Sequence, residues 1–362
     1  MAALRTVAII GVGAEMRRAR TILVIPIVLL AAWIAALVAA NRFYTPPALE
    51  HTEVAGRSSD APLPAEGFRI TTWNVGYAGM GEEADFIMDG GEQARPENAS
   101  LVEKNAAGIA GYLTGNPADI FLFQETAAPS SNNFRYDLNA KLKATLSGYQ
   151  HTFAADAETR LVPPPLDVHV GNMIFSKYAV TGAELRALPQ EPTYVYGLFR
   201  KSYAMQVMRL SDAAGRRWVI VNLHLSAFDS DEHHVREKQL MAVMDFAKSE
   251  YERGAHVIVG GDWNLRLAPV EFAHKTPEPF LFWIRDLPSD ATPQGWRWAL
   301  DTSRPTVRTA HQPYVKGENA TLIIDGFLCS PNVEFDAVST ANLGFQYTDH
   351  HPVAMNARSR QE

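Results

Sequence analysis

The sequence predicts a layered α/β domain behind an N-terminal membrane-spanning helix. Three observations carry this expectation. From residue 68 onward, apolar strand-like runs alternate with two or three helical stretches, and no internal repeat is visible. Several of those runs end in a carboxylate, carboxamide or histidine, as strands do when a sheet presents a site at one end. Residues 21–40 form a continuous segment without a charge.

Composition narrows the class. The 362 residues allow one large domain or two small ones, and 47% hydrophobic with 20% charged residues describes a globular chain with a sizeable core. The one cysteine, Cys329, excludes an internal disulfide framework and a thiolate metal cluster. The formal net charge is −7; residues 1–20 carry four arginines against one glutamate, a balance of +3, which leaves −10 for residues 21–362. A basic footprint for duplex DNA is absent at this level.

Taken in order, residues 1–20 read as a cytoplasmic tail. At 1.5 Å per residue the 21–40 segment makes a helix about 30 Å long, enough to cross a bilayer. Arg17, Arg18 and Arg20 precede it, so the positive-inside rule puts that end in the cytoplasm and the rest of the chain outside. A cleaved signal peptide ending at Val38-Ala-Ala40 is the competing reading; the apolar stretch exceeds the roughly 7–15 residues of a signal h-region. Met16 is an alternative start. Residues 41–66, rich in proline, alanine, serine and charge, read as a linker, with an ordered arm as the alternative. The folded domain is expected over 67–358.

Phe68 to Val75 alternates as a strand ending at Asn74, and a loop rich in glycine and carboxylates follows to Gly91. Leu101 to Leu113 has helical spacing, Asp119 to Glu125 is a buried strand ending in a polar pair, and Tyr136 to Leu146 reads as a helix. Residues 161–165 form a loop; 171–176, 203–210 and 217–225 read as strands, the last ending at His224. His234 to Glu252 is an amphipathic helix. It leads into Val257-Ile-Val-Gly-Gly-Asp-Trp-Asn264, a buried strand and tight turn that present Asp262 and Asn264. Residues 265–310 are irregular and aromatic, with Trp296 and Trp298 expected to pack. Residues 321–328 form a strand carrying Asp325, and the last signal is Thr348-Asp-His-His-Pro-Val353.

Each polar strand end has an ordinary explanation alone. Asn74 and Asp349 suit turn caps, Glu125 and Asp325 suit paired carboxylates, and His224 suits a hydrogen-bonded core histidine. Together they form an ordered set: Trp-Asn-Val (73–75), Gln-Glu (124–125), Asn-Leu-His-Leu (222–225), Gly-Asp-Trp-Asn (261–264), Ile-Asp-Gly-Phe (324–327) and Thr-Asp-His-His-Pro-Val (348–353). The set resembles the endonuclease/exonuclease/phosphatase superfamily, the DNase-I-like fold, over about residues 68–356. The resemblance implies a four-layer α/β sandwich, two mixed sheets packed face to face with helices outside, and Mg²⁺-dependent phosphoester hydrolysis, with Mn²⁺ as an alternative. It also implies the roles. Glu125 is the principal metal ligand, helped by Asn74 and Asp349; a hard divalent cation wants such oxygen donors. His350 is the general base, oriented by Asp325. Asp262 orients the attacking water, Asn264 hydrogen-bonds the phosphate, and His224 binds phosphate or protonates the leaving oxygen.

One departure stands out. DNase-type members carry Arg-Glu-Pro before the Asn-Leu-His-Leu strand, and that glutamate partners the first histidine. Here the equivalent is Arg200-Lys-Ser202, and a lysine accepts no hydrogen bond. This tilts the expectation toward phosphatase, sphingomyelinase-like or other branches, and the loop after Asn74, residues 76–91, resembles a stretch in bacterial membrane-associated members. Arg95, Arg304, Arg308, Tyr314 and Lys316 are candidates for the substrate pocket, since arginine suits phosphate recognition; the competing reading for each is a solvated surface residue. The expected function is a membrane-anchored, metal-dependent phosphoesterase outside the cytoplasm, acting on a lipid head group, a nucleic acid or a small phosphate ester without an obligate protein partner. An endonuclease and a non-catalytic scaffold are the alternatives; the acidic domain weighs against the first and the intact acid/base set against the second.

Overall fold

The computed structural model describes residues 24–41, 45–57, 59–191, 201–227 and 233–360. The tail with its arginine cluster, Met16, the first three residues of the apolar segment and Arg200 lie outside the described residues. The chain divides into two units. The smaller comprises residues 1–45, 159–162 and 193–200. Its described part is dominated by α1 (Val24–Asn41), 18 residues without a charge, apolar and exposed from Val24 through Ala36. At about 27 Å it is long enough to cross a membrane.

The larger unit holds the remaining elements. Its chain begins with β1 (Leu49–His51), β2 (Ala55–Gly56), β3 (Phe68–Asn74), α2 (Ala99–Gly115), β4 (Ile120–Ala127) and α3 (Leu138–Thr145). It continues through β5 (Gln150–Glu158), β6 (His169–Ser176), β7 (Val180–Ala187), β8 (Ala204–Ser211), β9 (Arg217–His224), α4 (Val235–Glu252) and β10 (His256–Asp262). The last third contributes β11 (Arg297–Ala299), β12 (Val307–Arg308), β13 (Thr321–Leu322), β14 (Asp325–Cys329), β15 (Val333–Thr340) and β16 (Val353–Ser359). Two seven-stranded sheets result, ordered β1-β7-β8-β9-β10-β14-β11 and β15-β16-β3-β4-β6-β5-β2, with β12 and β13 as a separate ribbon. Each sheet is mixed: β9 and β10 run parallel in one, β3 and β4 in the other, and the remaining pairs are antiparallel.

Burial on both faces explains why the central strands read as near-continuous apolar runs. Between the sheets, Ile70, Ile120, Leu122 and Ile174 meet Ile220, Ile258, Phe327 and Met208. On the outside, α2 buries Val102, Ala106, Ile109 and Leu113, one helical face, together with Phe121, Phe123 and Phe175. The Asn98 side chain caps this helix by accepting from Leu101 N at 3.1 Å. On the opposite face α4 buries Leu240, Val243, Met244 and Ala247 with Val219, Val221, Val257 and Val259. The layers therefore run helix, sheet, sheet, helix, the four-layer sandwich.

Several boundaries differ from the sequence reading. The 119–125 run continues to Ala127 through a bulge between Phe123 and Thr126, so Glu125 sits in a bulge and not at a strand end. The 321–328 run breaks at Ile323-Ile324 into β13 and β14, which puts Asp325 first in its strand. Within 41–66, β1 and β2 add to the edges of the two sheets by pairing with β7 and β5. Trp296 is buried, and Trp298 packs edge-on against Trp263 at 4.7 Å.

Candidate active site

Strand register assembles the site. Asp262, the last residue of β10, lies directly opposite His224 on β9 and Asp325 on β14. Three chemically active residues thus form one row across three hydrogen-bonded strands. Trp263 turns the other way into the outer core, where its indole N–H donates to the Gly326 carbonyl at 3.2 Å. Asn264 closes the turn with φ +50°, a conformation asparagine tolerates. Its N–H donates to Asp262 Oδ1 at 2.9 Å and its amide to the Leu225 carbonyl at 2.7 Å. The buried guanidinium of Arg236, on α4, donates to the carbonyls of Asn264, Ala227 and Trp283 and so fixes this turn from behind.

The second sheet contributes Asn74 at the end of β3. Its amide donates to Asp262 Oδ2 at 3.0 Å, a direct tie between the sheets, while its Oδ1 accepts from Gly76 N at 3.0 Å. Beneath it, a buried polar network joins the layers: Gln124 donates to Asn222 Oδ1 at 2.6 Å, and Asn222 donates to Gln206 Oε1 and the Phe123 carbonyl at 3.0 Å. Each buried polar group here has a partner, as burial demands.

His350 Nδ1 lies 2.9 Å from Asp325 Oδ2, and its Nε2 lies 3.6 Å from Asp262 Oδ2. Carbonyl-side anchoring comes from Trp73, whose indole N–H donates to the His350 carbonyl at 3.0 Å. Burial opposes the His350 imidazolium, but the Asp325 and Asp262 carboxylates outweigh it and hold the ring well above the ordinary histidine range. His224 mirrors this arrangement. Its Nδ1 faces Asp156 Oδ2 at 3.6 Å, and its Nε2 lies 3.7 Å from both Glu125 Oε1 and Asp262 Oδ2. Burial and Lys201 push its pKa down, and the three carboxylates bring it out above normal. Two histidines, each with an acid at Nδ1, therefore aim Nε2 at the same Asp262 oxygen.

Glu125 adopts φ +52° in its bulge, and its N–H donates to Asn172 Oδ1 at 3.3 Å. Asp349 is half-buried nearby; desolvation raises its pKa, and the Glu125 charge adds to the rise. Thr348 Oγ donates to the Asn74 carbonyl at 3.1 Å and keeps this loop on β3. The structure thus brings together Asn74, Glu125, His224, Asp262, Asn264, Asp325, Asp349 and His350. The pocket candidates are placed otherwise. Arg308 is buried, and its guanidinium donates to the Gly81, Thr309 and Gln312 carbonyls at 2.6, 3.0 and 3.4 Å, clamping the loop after β3. Arg95 is exposed over the Phe134 ring at 4.6 Å, and Tyr314 packs edge-on against Phe345 at 4.9 Å. Arg304 donates to the Thr340 carbonyl at 3.2 Å, and Lys316 is exposed.

Asp156 is absent from the sequence reading. It sits in β5, whose Ala154-Ala-Asp-Ala157 has too little apolar contrast to announce a strand. It supplies the carboxylate at His224 that Arg200-Lys-Ser202 does not.

The Endonuclease/Exonuclease/phosphatase family pattern matches residues 71–350, more than three quarters of the chain. The chain belongs to this family. Solved structures of similar fold include an endonuclease/exonuclease/phosphatase from Beutenbergia cavernae, 18% identical, covering 81% of this chain and 72% of that one at a TM-score of 0.57. A second from Bacteroides vulgatus is 15% identical, covering 81% and 99% at 0.52. Humanized TDP2 from D. rerio is 16% identical, covering 81% and 99% at 0.51. A search of curated proteins gave no significant match. As an endonuclease/exonuclease/phosphatase family member the chain is a phosphoester hydrolase of a divalent-metal-dependent class.

The donor set fits such a cation. Ligand atoms of Asp262, Asp325 and His350 lie within 4.8 Å of one another. The Asp325 contact already occupies His350 Nδ1; the half-buried Asp349, which feels the Glu125 charge, makes with it a second pair of carboxylates of the kind a hard divalent ion suits.

Proposed function

We propose that this family member is a membrane-anchored, Mg²⁺-dependent phosphoesterase that hydrolyses a phosphodiester or phosphomonoester through histidine-assisted attack of water. The observation that supports it most is the row His224–Asp262–Asp325 with His350 held against Asp325. His350, in its neutral form, accepts the proton of the attacking water at Nε2, and Asp325 offsets the imidazolium that forms. Asp262 receives a hydrogen bond from that water and orients it. The remaining amide hydrogen of Asn264 steadies a phosphoryl oxygen. His224, oriented by Asp156, protonates the leaving oxygen. Glu125, Asp349 and Asn74 would hold the metal, which when bound would polarise the phosphoryl oxygens and offset developing charge. Arg95, Arg308 and Tyr314 act on the substrate indirectly, through the loops they hold. The α1 helix anchors the chain with its catalytic domain outside the cytoplasm, as the preceding arginines favour.

The test is hydrolysis by residues 45–362, with Mg²⁺ and with EDTA. The panel holds plasmid DNA, RNA, sphingomyelin and phosphatidylinositol vesicles, inositol phosphates and bis-p-nitrophenyl phosphate. Activity on at least one ester is expected, lost with EDTA and lowered about 10²–10⁴-fold by His350→Ala. Nicking of plasmid would make the chain a nuclease despite its acidic charge. A folded, Mg²⁺-binding protein silent on every substrate would overturn the reading.

A further inference from the structure

The site holds five carboxylates, yet its substrate is an anion. Lys201 bears on this conflict. The residue docks beside β5: it bridges antiparallel to Ala157, and Ser202 N donates to the Asp156 carbonyl at 2.5 Å. Docking there puts its side chain on the His224 side of the site, with Nζ 5.7 Å from the centre of the Tyr203 ring. The neighbouring Tyr203 hydroxyl is already committed, donating to Glu191 Oε1 at 2.8 Å. Burial opposes the ammonium, and the charges of Asp156, then Glu125, Glu191 and Asp262, outweigh it. Among the described residues, however, no carboxylate comes within ion-pair distance of it, and no acceptor takes its hydrogens. Lys201 as a residue is half-buried, while its ammonium lies deep among the carboxylates of the site.

A structural lysine in such a place closes on its nearest carboxylate. This one has three unspent donors and a charge held inside the site, the properties of a cation reserved for an anionic ligand. We propose that Lys201 binds the substrate's phosphate, donating to a phosphoryl oxygen beside His224. The inference rests on the phosphoesterase reading and adds to it a specificity-determining contact. It gives the Arg200-Lys-Ser202 departure a purpose: the acid at His224 moves to β5, and the vacated position becomes cationic. A terminal phosphate, which carries one more negative charge than a diester, gains most from such a cation.

The test separates anion binding from cation binding in the full chain in detergent. Calorimetry would measure Mg²⁺ alone, then inorganic phosphate in saturating Mg²⁺, for wild type, Lys201→Met, Lys201→Arg and the exposed-surface control Lys248→Met. Lys201→Met is expected to weaken phosphate about tenfold or more. It should leave Mg²⁺ affinity unchanged or tighter, because a like charge near Glu125 has gone. Lys201→Arg should recover part of the phosphate affinity. Unaltered phosphate binding in Lys201→Met, parallel loss of Mg²⁺ binding, or wild type that binds no phosphate at 10 mM (on the order of a very weak site) would each overturn the proposal. Hydrolysis fails independently: a chain that binds phosphate through Lys201 but cleaves no ester would sink the phosphoesterase reading and leave this contact standing.

Discussion

Cys329 and His256 show how burial alone sets chemistry at single residues. Cys329 lies fully buried in β14, and burial pushes its thiol far above the usual range. Thiolate, the reactive form, is therefore suppressed. The native chain is expected to leave a disulfide reagent unreacted for hours and to react stoichiometrically in urea. His256, at the start of β10, sits 4.7 Å from the Trp218 ring with Nε2 2.9 Å from Ser359 Oγ. Burial, and then Arg216, hold its pKa below normal. The unfolded imidazole takes its proton near pH 6.5 and the folded one refuses it until lower pH. Its contribution to stability is therefore complete above about pH 6.5 and lost as pH falls through the folded value. His256→Gln should flatten part of the decline in urea midpoint between about pH 6.5 and 5. At this scale the sequence was generous with strand-end groups, because Asp262, His224 and Asn74 end long apolar runs. It was silent on Asp156, since the ion pair with His224 joins two strands that only the tertiary fold brings together.

Among the elements, the β10 strand and its turn carry the most constraint. Gly261 has φ +147°, and a Cβ there would lie 2.0 Å from the Leu223 carbonyl oxygen on the paired β9. Only glycine satisfies both the angle and the approach. Gly261→Ala should cost about 3 kcal/mol and displace Asp262 from its row. Urea unfolding reads the first effect and loss of hydrolysis the second; unchanged stability would contradict the close approach. The pair of glycines in Gly-Gly-Asp suggested a turn, yet both lie inside β10, and the reason for the second is the close approach of Leu223 on β9. Helices α2 and α4 were legible nearly to their ends because each has one apolar face. Short strands were not. The two-residue β2, β12 and β13 and the three-residue β1 and β11 are too brief for alternation to show; β1, β2 and β11 form because a sheet edge recruits them, and β12 and β13 because they pair with each other. The Glu125 bulge was invisible for a related reason: a bulge is defined by its partner strand.

At the level of the whole molecule, the catalytic groups are divided between layers. Asn74, Glu125, Asp349 and His350 belong to the sheet containing β3 and β4 or to the loop that enters it, whereas His224, Asp262 and Asp325 belong to the other. The acid/base pair His350–Asp325 therefore spans the sandwich. So does the Asn74–Asp262 hydrogen bond. The four-layer architecture was legible only through the ordered motif set, since which strands pair, and in what register, leaves little trace in local pattern. A seam of this kind acts as a strain gauge. Slippage of one layer against the other by a fraction of an ångström separates proton acceptor from counter-ion while every helix and ladder remains formed. Catalysis should then fail before structure does: in a urea titration, hydrolysis should fall at lower denaturant than far-ultraviolet dichroism. Large-to-small substitutions at Phe327, distant from water and deep between the layers, should widen that gap. Coincident loss of both signals would mean the layers move as one. An enzyme built across a joint carries its own quality control, because a loosely packed copy is silent before it is unfolded.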